Sequence, residues 1–200
     1  MKTENENGLE LDREAWLTEM SQFILDDIIM PECNGLPAPP IRLSVGFPTG
    51  RRGKAVAVCY KREASSDSTN EIFVSPTLDD SLEIAGALCH EIIHAVDNCA
   101  SGHRHHFARV ARRIGLIGKL TATRASGALL AKLAEYVVLL GKIPHAKLNM
   151  AKARTSDGTR MLKCMCGDCG FTFRTSAKWL AYIDNNTCNA CGNESIEFNV

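Results

Sequence analysis

Cys166-Gly-Asp-Cys169 and Cys188-Asn-Ala-Cys191 place two C-x-x-C pairs eighteen residues apart, and this spacing limits what the end of the chain can become. Each pair predicts a tight turn that presents two thiolates. Four thiolates close a tetrahedron around one Zn2+ ion and leave no open position. Such a site is structural. Its binding energy is largely the folding energy of a segment too short to build its own apolar core. Gly167, Gly170 and Gly192 suit the turns. A redox reading of either pair alone is weaker, because the two occur together. Cys164 is surplus; it can stand in for Cys166 as a ligand, although the C-x-x-C spacing favours Cys166. Short β-like pieces at 160–163, 171–174 and 196–200 complete the expectation of a small zinc ribbon over 161–200.

The 200 residues leave room for one ordinary domain ahead of the ribbon. Its expected extent is 1–152, with a polar linker at 153–160. Of the nine cysteines, Cys33, Cys59, Cys89 and Cys99 are scattered and read as small buried apolar residues. An odd, uneven set argues against a disulfide framework. The polar, acidic start carries no signal-peptide pattern, and no run of about 18 apolar residues suggests a membrane span. A cytoplasmic protein with no membrane partner is expected. The formal net charge is zero, but an acidic opening segment contrasts with a basic stretch from Arg104 to Lys163. On charge alone, solvated helix faces and a polyanion-binding surface are equally good readings.

Trp16, Met20, Phe23, Ile24 and Ile28 recur at helical steps and predict an amphipathic helix over 11–30, closed by Pro31. Strands are predicted at 41–47, 55–60 and 71–75, with a turn at 48–53. Helices follow at 78–98, 103–114 and 126–140, so the metal-site helices span 78–114. Helix, strands and then helices make an α+β domain.

His90-Glu91-Ile92-Ile93-His94 falls inside the second predicted helix. Residues four apart leave one helix face a turn apart, so two imidazoles can share one cation. Glu91 cannot easily ligate from the same helix, but it can reach a water on the metal and serve as general base, then acid. A catalytic zinc needs a third protein ligand and an open fourth position. His103 and His106 are the main candidates, and Glu135 is a distant one. His105 is expected to face solvent. Asp97 reads equally well as a partner for an imidazole N–H or as a helix-end polar residue.

His90-Glu91-x-x-His94 followed by Gly102-His103-x-x-x-Phe107 resembles the SprT-like zinc metallopeptidase family, including its Spartan branch. The segments Glu71–Pro76, Ile114–Thr123 and Pro144-His145 share the likeness, which runs from about Leu43 to the end of the chain. His105 and His106 depart from the family pattern. The resemblance implies a zincin-like domain with a small sheet packed on the helices that carry the metal site. It also selects His103 as the third ligand and implies peptide-bond hydrolysis, with one catalytic and one structural Zn2+. In the Spartan branch the zinc module binds single-stranded DNA, and the protease degrades proteins crosslinked to DNA. Arg174, Lys178 and Trp179 can offer a cationic, stacking surface for such a strand, although packing is slightly the better reading of Trp179; Phe171 and Phe173 are expected to pack the ribbon. The 71–75 strand reads equally well as a cleft edge for an extended protein substrate and as a plain strand of the sheet. The rival reading is a non-catalytic, nucleic-acid-binding or transcription-associated protein with two structural metal sites. Nothing in the sequence sets the oligomeric state.

Overall fold

A computed structural model of the chain describes residues 3–4, 10–48, 55–153, 161–180, 182 and 187–199. The expected turn at 48–53 and linker at 153–160 lie almost wholly outside them. The chain divides into two compact units, Met1–Met150 and Ala151–Val200. Among the described residues, no helix is long and apolar enough to cross a membrane. The architecture is α+β.

The first unit opens with two short paired strands, β1 (Thr3–Glu4) and β2 (Glu10–Leu11). Helix α1 (Arg13–Phe23) starts where the Asp12 carboxylate accepts from the Ala15 N–H at 2.8 Å, satisfying one free donor of the first turn. The helix does not run on as one regular winding to residue 30. It widens to a π-helical stretch over Ile24–Ile29, in which Ile24, Leu25, Ile28 and Ile29 are all buried, and then tightens to a 3-10 turn at Met30–Glu32 around Pro31.

Strands β3 (Ile41–Val45), β4 (Ala57–Tyr60) and β5 (Asn70–Val74) form a mixed sheet in the order β3-β5-β4. β5 lies parallel to β3 and antiparallel to β4. On β5, Asn70, Ile72 and Val74 alternate into the core, as a half-buried strand requires. Helix α2 (Ser81–Val96) is the central element and packs against α1, β4 and β5. Asp80 caps it through a 2.8 Å bond from the Glu83 N–H. Helix α3 (His105–Ile114), the hairpin β6 (Leu116–Lys119) and β7 (Ala122–Ala125), and helix α4 (Gly127–Leu140) complete this unit. The expected helix over 103–114 is corrected at its start, and the hairpin had no strand expectation.

Three polar links fasten α4 and the residues just after it to the rest. Trp16 Nε1–H donates to the Gly141 carbonyl at 2.8 Å, and the Ile143 N–H donates to Ser81 Oγ at 3.0 Å. Tyr136 stacks on Phe23 with ring centroids 4.8 Å apart and donates its hydroxyl to Asp27.

In the second unit, β8 (Leu162–Cys166), β9 (Thr172–Thr175) and β10 (Ile196–Asn199) form an antiparallel sheet in the order β10-β8-β9. Its small core contains Cys164, Cys166, Cys188 and Ile196, with Phe173 packed against them. Phe171, expected to share in the packing, is exposed.

Candidate metal centres

The Cys₄ group is built from two near-identical turns. The Gly170 N–H returns to the Cys166 carbonyl at 3.0 Å, and the Gly192 N–H returns to the Cys188 carbonyl at 2.8 Å. Both glycines hold a positive φ, 73° and 79°, which a side chain would resist. Cys166 and Cys191 Sγ lie 3.8 Å apart, and Cys169 and Cys188 Sγ lie 3.6 Å apart. Thiolates at about 2.3 Å from a tetrahedral ion sit roughly 3.8 Å from one another, so the donor set fits zinc. The Ser195 hydroxyl, and next the Cys169 backbone N–H, draw the Cys166 thiol down to about 6. Cys164 is buried and stands outside the group that could hold an ion. Its surplus sulfur belongs to the ribbon's core.

The histidine group lies at the end of α2. His90 and His94 project from one face, as their spacing predicts. The chain must then reverse to bring a third imidazole back. It does so through left-handed residues: Asn98, Cys99 and Gly102 have φ of 53°, 60° and 52°. The Cys99 N–H closes onto the His94 carbonyl at 2.7 Å. His103 therefore faces the cluster from the loop, ahead of Arg104 at the N-cap of α3, and does not begin the helix as the sequence suggested. His90 and His103 Nε2 are 3.2 Å apart; His94 and His103 Nε2 are 3.3 Å apart. All three ligand atoms fall within 4.8 Å of one another, and the group could hold a metal ion. Two imidazole nitrogens about 2.0–2.1 Å from one tetrahedral ion lie roughly 3.3–3.4 Å apart, so these distances also fit zinc.

The rivals stand elsewhere. His106 Nδ1 accepts from Arg109 at 3.1 Å, His105 is exposed, and Glu135 is exposed on α4. Asp97 accepts from the Ser101 N–H at 3.1 Å, and no imidazole bonds to it.

The surroundings hold the imidazoles neutral and oriented. Burial, and then the neighbouring histidines, bring His90 down to about 3 and His94 to about 4; burial also lowers His103. With Nε2 turned to the cluster as an acceptor, the His90 Nδ1–H donates to Thr123 Oγ1 at 2.8 Å. That bond fixes both tautomer and ring plane. Thr123 sits on β7 and carries no motif that marks it; its segment entered only through the family likeness. Phe107, fully buried on the first turn of α3, supports all three rings, with centroids 4.7 Å from His90, 4.4 Å from His94 and 5.1 Å from His103. Phe107→Ala should therefore cost about 3–5 kcal/mol of stability, as for other buried phenylalanines. Urea denaturation of the two proteins measures it; a loss below about 1 kcal/mol would mean the ring is not the support described.

Glu91 points into the same space. It is only 9% exposed. Burial pushes its carboxyl up to about 7, opposed by a bond from the Cys59 backbone N–H. Two cavities, of about 570 and 320 Å³, both touch His90 and Glu91. The larger continues past Val56 and Ala57 on one side and Thr123 and Arg124 on the other, over Gly86 and Ala87. A cleft thus runs between β4 and the β6–β7 hairpin.

The strand order corrects one expectation. The 71–75 segment is the sheet's central strand, paired on both sides, and β4 is the edge along the cleft. β5 joins two neighbours because β3 pairs with it in parallel, a partnership that strand patterning does not reveal. A second correction concerns the thiols. Cys33 and Cys89 are buried as expected, but Cys59 and Cys99 are half-buried and line the smaller cavity.

On the ribbon, Arg174, Lys178 and Trp179 are all exposed. Lys178 Nζ sits 4.9 Å from the Trp179 ring centre, and Trp179 and Tyr182 have ring centroids 5.5 Å apart. Tyr182, which carries no motif, is thereby added to the candidate surface. In comparisons with known proteins, the chain matches no family model, no curated protein and no solved structure.

Proposed function

We propose that this chain is a zinc-dependent endopeptidase of SprT-like type, with a zincin-like catalytic domain, that cuts proteins bound or crosslinked to DNA. The observation that carries the reading is the convergence of His90, His94 and His103 Nε2 beside the buried Glu91 carboxylate, all facing one cleft. A purely structural ion has no use for that carboxylate.

Zinc bound by the three imidazoles supplies a Lewis acid that polarises a carbonyl and lowers the pKa of a water toward neutrality. Glu91 takes the proton from the attacking water and hands it to the leaving amine nitrogen. Thr123, through the His90 Nδ1–H, keeps that ring in place as charge develops.

The cleft suits an extended polypeptide. Cys59 turns its backbone away from β5, because its N–H meets Glu91 and its carbonyl meets the Cys99 thiol. Strand backbone repeats every two residues, so Ala57 presents its N–H and C=O on the same open side. A substrate strand adds there through main-chain bonds that ignore side-chain identity. The small lining of Ala55, Val56, Gly86 and Ala87 leaves room for varied side chains.

The ribbon's cation and paired rings suit stacked bases. Trp179 is 53% exposed and Tyr182 75% exposed, more than a packing role leaves for such rings. Stacking of one base on an aromatic ring contributes about 1–3 kcal/mol, so Trp179→Ala should weaken single-stranded DNA binding roughly 5- to 150-fold. Fluorescence anisotropy with a labelled oligonucleotide checks this. The activity test uses the zinc-loaded full chain and a protein crosslinked to single-stranded DNA, with the uncrosslinked protein beside it. Fragments that o-phenanthroline suppresses are expected, in greater yield from the crosslinked substrate. An intact substrate in both arms would count against peptidase activity, and equal cutting of both would remove the DNA element alone.

A further inference from the structure

Cys59 and Cys99 come from distant parts of the chain. Cys59 lies on the edge strand β4, and Cys99 lies in the loop between the ligands His94 and His103. Their Sγ atoms are 3.8 Å apart, and the Cys99 thiol also donates to the Cys59 carbonyl at 3.7 Å. Both are half-buried and both line the cavity at the histidines.

This approach is held from both sides. Cys99 takes the left-handed conformation, with φ of 60°, an uncommon state for a non-glycine residue. Neighbouring Asn98 fixes that turn to the sheet. Its Oδ1 accepts from the Arg62 N–H at 2.8 Å and from Asn70 Nδ2 at 3.2 Å, while its Nδ2 donates to Glu63 at 2.9 and 3.0 Å. Asn70, fully buried, donates in turn to the Tyr60 carbonyl at 2.9 Å. Two thiols are thus pinned facing each other beside the smaller cavity, at the histidines.

From this geometry we infer that Cys59 and Cys99 are a peroxide-sensitive dithiol, whose reversible disulfide ties the edge strand to the metal-site loop and closes the cleft. The chemistry needs only hydrogen peroxide. One thiol attacks the peroxide O–O bond, giving a sulfenic acid and releasing one water. The second thiol then attacks the sulfenic sulfur, forming the S–S bond and releasing a second water. The sulfurs must close from 3.8 Å to about 2.05 Å. That movement draws β4 toward the loop. It shifts the Cys59 N–H that bonds to Glu91, and it narrows the side on which a substrate strand would add.

The formation of the bond is independent of the peptidase reading; its effect on cleavage rests on that reading. The test treats the zinc-loaded full chain with one to a few equivalents of peroxide, alkylates it under denaturing conditions and maps linked peptides by mass spectrometry. Wild type should give a Cys59–Cys99 linked peptide that dithiothreitol removes. Cys89 falls in the same tryptic fragment as Cys99, so the Cys99→Ser variant assigns the link, and there it should vanish. In parallel, peroxide should slow wild-type cleavage more than tenfold, with recovery on reduction, and should leave Cys99→Ser much less affected. Oxidation confined to the ribbon cysteines, with the 59–99 pair still reduced, would overturn the inference. A quantitative link with undiminished cleavage would overturn the closing of the cleft. A chain that links as described but cuts nothing in either state would fail as a peptidase while keeping its dithiol.

Discussion

Stripping the metal from the Cys₄ group should unfold the ribbon and leave the helical unit standing. The ribbon's described core is three half-sized cysteines, one isoleucine and part of a phenylalanine. That is far too little to offset the ordering of about forty residues. Structural zinc in comparable modules contributes about 10–16 kcal/mol of apparent binding energy at neutral pH, and in such a module this is folding energy. The first unit has its own core, extending from Leu11 to Ile143 and including Trp16, Leu88, Ile92 and Phe107. Cys169→Ser removes one donor from an exposed turn and disturbs no core side chain. In amide proton–nitrogen spectra of the full-length variant, signals from 161–199 should collapse to unfolded positions while those of the first unit persist. Loss of both sets, or of neither, would contradict the division of labour.

Glu91→Gln should lower peptide cleavage by about 10²- to 10⁴-fold, the range for removal of a general acid–base, while the histidine group keeps its metal. Gln has the volume of Glu, so the buried pocket stays filled. It accepts a hydrogen bond from the Cys59 N–H as the carboxylate does, but it cannot take a proton from water. The three Nε2 donors are untouched. Metal analysis and cleavage of the same preparation make the measurement. Full activity with bound metal would take Glu91 out of the chemistry. Loss of metal together with activity would instead make Glu91 a support for the site.

Much of this site could be read from the chain because it is local. His90 and His94 need only a helix, and a helix is announced by Ile84, Leu88 and Ile92 at turn spacing. The two C-x-x-C turns are equally local, and their positive-φ glycines stand in the sequence. His103 was less legible. Its approach depends on left-handed backbone at Asn98 and Cys99, where no glycine signals it, and Arg104 at the N-cap has no acceptor for the first-turn N–H groups, so nothing marks the helix start. What the sequence did not reveal is non-local. Thr123 reaches His90 from a hairpin thirty-three positions along. The order β3-β5-β4 is set by a parallel pairing between distant strands, so the edge along the cleft is β4. The Cys59–Cys99 approach spans forty positions and was hidden among cysteines that otherwise pack.

The most direct test counts and identifies metal in the full chain, and in His103→Ala, by elemental analysis with zinc X-ray absorption. Two zinc ions per wild-type chain are expected: one among sulfurs at about 2.3 Å, the other among nitrogen and oxygen donors at about 2.0–2.1 Å, including a water. The variant should lose the second ion and keep the first. A single all-sulfur zinc in wild type, or a second ion closed by four protein side chains, would contradict the account.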